Sequence, residues 1–405
     1  MIRKPLNRWT YAIVGTVAMV FAGLIYAWTM FKRPIYVTYP AWNSPAGELT
    51  FTFIMSGFCI GGLLGGILQK KLKPYIIMWI GGILLLIGFI LTSRAGSLFV
   101  LYIGMGLFAG LGSGISYNVI MSCVSRWFPD KKGLSSGMLL LGFGIGSFLL
   151  GTVYTNITKD NGEFWRTAFL ALGIILIIVM FLASFFTVYP PAGWKAPTSA
   201  KPQKDAQFYQ NLRPSQMLKN RNFWLYMVWT LLMSGGGLMI IALGSDIVVE
   251  AVSIDESAIA IIVGLISIFN AVGRIIFGFL FDKIGRFAEM LIGGIVYIVS
   301  MLLTLMAISS HSIFILVVAY IFAGLAYSCV TPTNSSFALQ FFGPENYAVN
   351  LPIVNLNLLV ASFSSMIAKS IYQSAGSFNP VLFMIIGFAV VGIIVNFLIR
   401  KPKNI

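Results

Sequence analysis

The sequence predicts an all-α membrane protein of twelve transmembrane helices, arranged as two pseudo-symmetric six-helix bundles. Three observations predict it. Of the 405 residues, 58% are hydrophobic and only 10% are charged, whereas a soluble domain carries about 25% charged residues. The apolar residues fall in blocks of about 20, the length a helix needs to cross about 30 Å of hydrocarbon. One long polar segment, 190–221, divides those blocks into six and six.

The predicted spans are 9–31, 50–69, 74–92, 98–123, 133–156 and 165–189 in the first half. The second half supplies 222–249, 257–281, 287–308, 312–338, 347–370 and 378–399. The first 31 residues begin like a secretory leader, with Arg3, Lys4 and Arg8 before an apolar run. That run is too long for a leader's apolar core and is read as the first helix. Residues 1–189 form the N-terminal bundle, 190–221 a Pro-, Lys- and Gln-rich linker, and 222–405 the C-terminal bundle. Pro332 and Pro352 each remove a helical N–H, so the spans holding them should kink and leave carbonyls that need other partners.

Lys and Arg alternate between the two sides of this arrangement. Twenty of the 27 fall in one alternate set of segments, which includes both ends and the linker, and six in the other. This bias predicts both termini in the cytoplasm of a multi-pass protein of the cell membrane. The net charge of +15 is therefore a topology signal, not a nucleic-acid footprint. Cys59, Cys123 and Cys329 lie far apart in apolar runs and read as small core side chains. The single histidine, His311, excludes a His-based metal cluster. No cofactor is expected: Gly142-Phe143-Gly144-Ile145-Gly146 follows no strand, so a dinucleotide site is excluded. Glycines that let helices pack closely explain it better.

The halves repeat each other. Gly65-Gly66-Ile67-Leu68-Gln69-Lys70-Lys71-Leu72-Lys73 is echoed by Gly278-Phe279-Leu280-Phe281-Asp282-Lys283-Ile284-Gly285-Arg286. Phe-Ala-Gly-Leu occurs at 21–24, 108–111 and 322–325, in the first, fourth and tenth spans. Internal repeats of this kind mark transporters, whose sites lie near the bilayer midplane.

The residue that points to chemistry is Arg274, the one charge well inside any predicted span. An arginine at a helix centre costs about 2.5–3.5 kcal/mol on insertion scales, so it is kept for a purpose. It stands about eight residues, roughly 12 Å, from the nearer end of its span. Helical side chains lean toward their own N-terminus, which here carries Arg274 away from that end. A guanidinium offers a planar fork that suits a carboxylate. Asn270, four residues earlier, shares its face. Tyr26, Tyr117, Asn118, Tyr327 and Asn355 are further polar or aromatic in-span candidates for substrate contact. Trp28, Thr331, Asn334 and Asn357 lie in spans as well. Tyr26 and Tyr327 each stand two residues past a Phe-Ala-Gly-Leu repeat. For each candidate apart from Arg274, plain interhelical packing is the competing reading. No Asp, Glu or His is expected to be buried as a dedicated proton carrier.

The Gly278-x-x-x-Asp282-Lys283-x-Gly285-Arg286 loop, the six-plus-six layout and the linker resemble the major facilitator superfamily. Within it, several stretches are similar to the oxalate/formate antiporter and monocarboxylate transporter branch. These are Gly112 to Tyr117, Arg126 to Leu134, Pro190 to Trp194, and Gly273-Arg274. The resemblance implies carboxylate binding at Arg274. It also implies a gating loop of Asp282, Lys283 and Arg286, with Arg126 in the first half. Asp282 is badly placed for its own helix dipole, and the helix start near Gly133 is the expected partner. The first-half copy has Gln69 in place of the aspartate, so its lock should differ. Oxalate carriers of the branch have a second buried cation, a lysine in the eleventh span. Here Lys369 stands near that span's end, which favours a monocarboxylate such as lactate, pyruvate, acetate or formate over oxalate.

The reading is a transporter, not an enzyme. A small carboxylate anion and a proton are its expected partners, with surrounding lipid, and it is expected to act as a monomer. Alternating access with proton symport is the first mechanism. Anion exchange is the second, and a carboxylate sensor that does not transport is the third.

Overall fold

In a computed structural model, residues 6–401 are described apart from 43, 159–163, 192–193, 195–209, 253 and 255. The linker cations Lys195, Lys201 and Lys204 lie outside the described residues, as do Arg3 and Lys4. Among the described residues, eleven helices are long and apolar enough to cross a membrane. They are α1 (Arg8–Ala27), α2 (Leu49–Leu68), α3 (Pro74–Ser93), α4 (Leu98–Trp127), α5 (Lys132–Thr158) and α6 (Phe164–Ser184). The rest are α7 (Arg221–Ile241), α8 (Ile261–Ser310), α9 (Ile313–Phe342), α10 (Tyr347–Ala375) and α11 (Asn379–Leu398).

Eleven helices hold twelve predicted spans because α8 holds two. Gly285 interrupts it with φ 80° and ψ 166°, a backbone conformation that glycine reaches without steric penalty. The arm before Gly285 carries the predicted span 257–281, and the arm after it carries 287–308. α9 breaks at Cys329, between Ile313–Ser328 and Val330–Phe342. Pro332 accounts for the break, because it has no N–H for the carbonyl of Ser328. In α10, Pro352 lies inside the piece Tyr347–Asn355, and the helix is interrupted at Leu356.

Two compact units result. The first comprises Met1–Asp130, Met138–Ala206 and Pro344–Ile353, and the second Lys131–Gly137, Gln207–Gly343 and Val354–Ile405. Two short segments, the first turns of α5 and of α10, thus join the unit opposite to their place in sequence. In the first unit α2 packs on α4, and α3 packs on α4 and α6. In the second, α8 packs against α7, α9 and α11.

Helix faces follow the pattern expected of protein in hydrocarbon. On α6, Leu170, Ile174, Ile178 and Phe181 are exposed, while Trp165, Phe169, Gly173, Leu176 and Met180 are buried. The two sets lie on opposite faces of the helix, both apolar, as in a helix between core and lipid.

The glycine of each Phe-Ala-Gly-Leu repeat marks a close crossing. A Cβ at Gly23 would strike the carbonyl oxygen of Phe143, one at Gly110 that of Ile54, and one at Gly324 that of Ile266. The latter two are α4 on α2 and α9 on α8, equivalent pairs in the two halves. The repeat is thus a packing device that brings backbones together.

Candidate functional site

Arg274 sits in the second unit, on the first arm of α8, and is only 9% exposed. Two small-residue crossings set its position. Gly324 of α9 lies against Ile266 and Asn270, and Gly273 lies against the Ser328 hydroxyl. With α8 and α9 so close, the Arg274 guanidinium comes within electrostatic range of the Tyr327 phenol. Tyr327 is held from its other side by α7. A Cβ on Gly237 would fall inside its ring, so only glycine leaves room for it there. Tyr297 closes the same corner, donating its hydroxyl to the Met233 carbonyl at 2.8 Å. Asn270 is half-buried one turn before Arg274.

Asn355 is 7% exposed and belongs to a buried amide network. Its Oδ1 accepts from Asn334 Nδ2 at 3.2 Å. Asn334 Oδ1 in turn accepts from Tyr226 at 2.7 Å and Thr230 at 2.8 Å. Ser234 donates to Asn357 Oδ1 at 2.9 Å. These bonds tie α7, α9 and α10 together beyond the Pro332 and Pro352 breaks.

Tyr26 and Tyr117 belong to the first unit. Tyr26 lies in a 3-10 turn, Gly23–Ala27, that continues α1. It meets Phe143 edge-on at 5.4 Å, and Tyr117 meets Phe58 and Phe143 at 5.2 Å each. The result is an aromatic cluster of four rings from α1, α2, α4 and α5. Phe58 and Phe143 were not among the sequence candidates, since nothing in their neighbourhood separates them from other core phenylalanines.

Asn118 is fully buried, and its amide nitrogen is committed. Nδ2 donates to the Gly62 carbonyl at 2.6 Å and to the Ala348 carbonyl at 2.7 Å. Ala348 is four residues before Pro352, so its carbonyl is the acceptor that the proline leaves without a helical donor. Asn118 therefore fills a backbone need that Pro352 creates.

The gating candidates take separate places. Asp282 accepts from the backbone N–H of Gly133 at 2.8 Å and of Leu134 at 2.9 Å, one bond to each carboxylate oxygen. A negative charge on these N–H groups is favourable for the α5 dipole. Gly133 and Gly278 abut backbone to backbone just beside it. Arg286 turns inward, donating to Asn396 Oδ1 and to the Ile399 carbonyl at the end of α11. Lys283 is exposed, with its ammonium 5.6 Å from the Phe279 ring centre. In the first unit the exposed Arg126 stacks on Tyr189 at 4.1 Å. The Tyr189 hydroxyl donates to Gln69 Oε1 at 2.9 Å. Gln69, in the place of the second-half aspartate, thus pairs with a tyrosine instead of a helix start.

One expectation fails. The chain does bury an acidic residue: Glu289, on the second arm of α8, has no exposed surface. It is the third residue of the predicted span 287–308. The bend at Gly285 carries both Arg286 and Glu289 into the core. Their i, i+3 spacing on one helix face was the available signal.

These helices and their repeats have known relatives. A model described as Major Facilitator Superfamily matches residues 10–366 and 240–404. The chain belongs to that superfamily. It is 29% identical to the oxalate:formate antiporter of Oxalobacter formigenes over 350 residues, 84% of this chain and 80% of that one. It is 34% identical to monocarboxylate transporter 13 of Rattus norvegicus over 115 residues, 28% of this chain and 26% of that one. Both relatives belong to the branch that the sequence motifs resemble. Among solved structures, the proton:xylose symporter XylE bound to a bromodeoxyglucose superposes with a TM-score of 0.73. That match covers 98% of this chain and 97% of the other at 12% identity, which speaks for the fold alone. The protein is a multi-pass membrane transporter of this superfamily, not an enzyme.

Proposed function

We propose that this transporter carries a small monocarboxylate of the lactate, pyruvate, acetate or formate type, together with a proton, by alternating access. One observation carries the reading: a guanidinium, Arg274, buried in a membrane-length helix within electrostatic range of Tyr327. Such a group favours an anion, and its fork favours a carboxylate. Asn270 and Tyr327 supply neutral donors to the same carboxylate, and Asn355 is a further candidate. Tyr26 and Tyr117 are further candidates for substrate contact. Both termini lie in the cytoplasm under the charge bias, and the carrier acts as a monomer. Asp282 on the start of α5 serves as a gate contact that breaks and reforms in the cycle.

Exchange of one anion for another is the second reading, favoured by similarity to the oxalate:formate antiporter over most of the chain. A dianion such as oxalate is the weaker substrate, because Lys369 of α10 is exposed and adds no buried charge. The test is uptake of labelled lactate, pyruvate, acetate, formate and oxalate into liposomes, with and without an imposed pH gradient. Symport predicts accumulation of a monocarboxylate driven by an acidic exterior. Uptake that needs an internal anion and ignores the pH gradient favours exchange.

A further inference from the structure

Glu289 is the buried titratable group that the reading above leaves unused. It has no exposed surface. Its Oε1 lies 2.7 Å from the Thr333 hydroxyl of α9, which also faces the Cys329 carbonyl at 2.6 Å, and its Oε2 has no hydrogen-bond partner among the described residues. The charged and titratable groups facing it are Arg286 on its own helix, Tyr226 of α7 and Cys329 at the α9 break. Arg286 directs its guanidinium to Asn396 and the Ile399 carbonyl, and Tyr226 directs its hydroxyl to Asn334. A glutamine would satisfy the Thr333 bond equally well, so hydrogen bonding alone does not explain an acid here. Burying a carboxylate with one oxygen left unbonded is far costlier than burying the neutral acid. An ionisable group kept in such a place in a membrane helix is by default a functional one, and proton relays are built from such groups.

We propose that the Glu289 carboxyl is the site that takes up and releases the coupled proton, with Thr333 as its positioning partner. The inference rests on the symport reading above. The proton sits on Oε2 while Oε1 keeps the Thr333 bond, and it leaves when the surrounding helices part and water reaches the carboxylate. Thr333 is six residues, about 9 Å of helix rise, from Tyr327 on the far side of the Cys329 break. The proton site and the anion site are thereby joined through one helix, α9, whose helical pattern is interrupted at Cys329. Movement at that interruption is the physical link by which occupancy of one site is felt at the other.

The experiment compares wild-type protein and Glu289→Gln in liposomes, using labelled lactate in three measurements. These are counterflow without a pH gradient, accumulation driven by an acidic exterior, and proton movement accompanying lactate. The expected result for Glu289→Gln is retained counterflow with loss of both driven accumulation and proton movement. Driven accumulation equal to wild type in Glu289→Gln overturns the proposal while leaving symport standing. Wild-type counterflow without proton movement overturns symport and this proposal together. Should Glu289→Gln abolish counterflow as well, Thr333→Ala decides. It shifts the pH midpoint of driven uptake if Glu289 holds the proton, and an unmoved midpoint overturns the assignment.

Discussion

Asn118 donates its side-chain amide to the carbonyl of Ala348, the one acceptor in α10 that Pro352 deprives of a helical N–H. The two residues are 230 positions apart in sequence, yet one side chain repairs the backbone defect that one proline makes. Asn118→Ala should lower stability by about 1–3 kcal/mol, the cost of leaving a buried acceptor unpaired. The cost should shrink when Pro352→Ala is also present, because an alanine at that position restores the N–H that the Ala348 carbonyl lacks. Thermal unfolding of the two single variants and the double variant measures this coupling. Additive losses would show that the proline and the asparagine act independently.

Asp282 meets the first N–H groups of α5 with both carboxylate oxygens. Asp282→Ala should cost about 0.5–2 kcal/mol, the range for losing a helix cap. Asp282→Asn, which keeps one acceptor and drops the charge, should fall between. The sharper readout is hydrogen exchange: the amides of Gly133 and Leu134 should exchange faster in Asp282→Ala, and amides of α6 should not. Unchanged exchange at those two amides would mean that the contact does not protect them.

Gly237 matters because the Tyr327 ring occupies the space where its side chain would be. Gly237→Ala should displace that ring, and Tyr327 is the aromatic neighbour of Arg274. Lactate binding should weaken in Gly237→Ala and in Tyr327→Ala, and the double variant should be no worse than Tyr327→Ala alone. An additive loss would place the Gly237 effect elsewhere.

Sequence reasoning reached the helices and their pairing because both are written in local pattern. Blocks of lipid length set the spans, and the repeated Phe-Ala-Gly-Leu glycines stand at equivalent crossings. Arg274 and Asp282 were visible because a charge in or beside an apolar run is conspicuous. Glu289 was not, since it lies only three residues into a predicted span, and its burial is set by how the arm after Gly285 packs on its neighbours. Asn118 was singled out as polar and in-span, and the carbonyl freed at Pro352 was anticipated. That the two meet is a tertiary fact, set by how α2 and α4 pack on the start of α10. The linker residues Lys195, Lys201 and Lys204 add nothing, as they lie outside the described residues.

The most direct measurement is equilibrium binding of labelled lactate to purified wild-type protein and to Arg274→Gln, with thermal unfolding recorded on both. Charge-assisted hydrogen bonds contribute about 1.5–3 kcal/mol each, so losing a two-pronged pair should weaken binding about 100-fold or more. The account predicts that loss in a variant whose unfolding matches wild type. Lactate binding of wild-type strength in Arg274→Gln would contradict it.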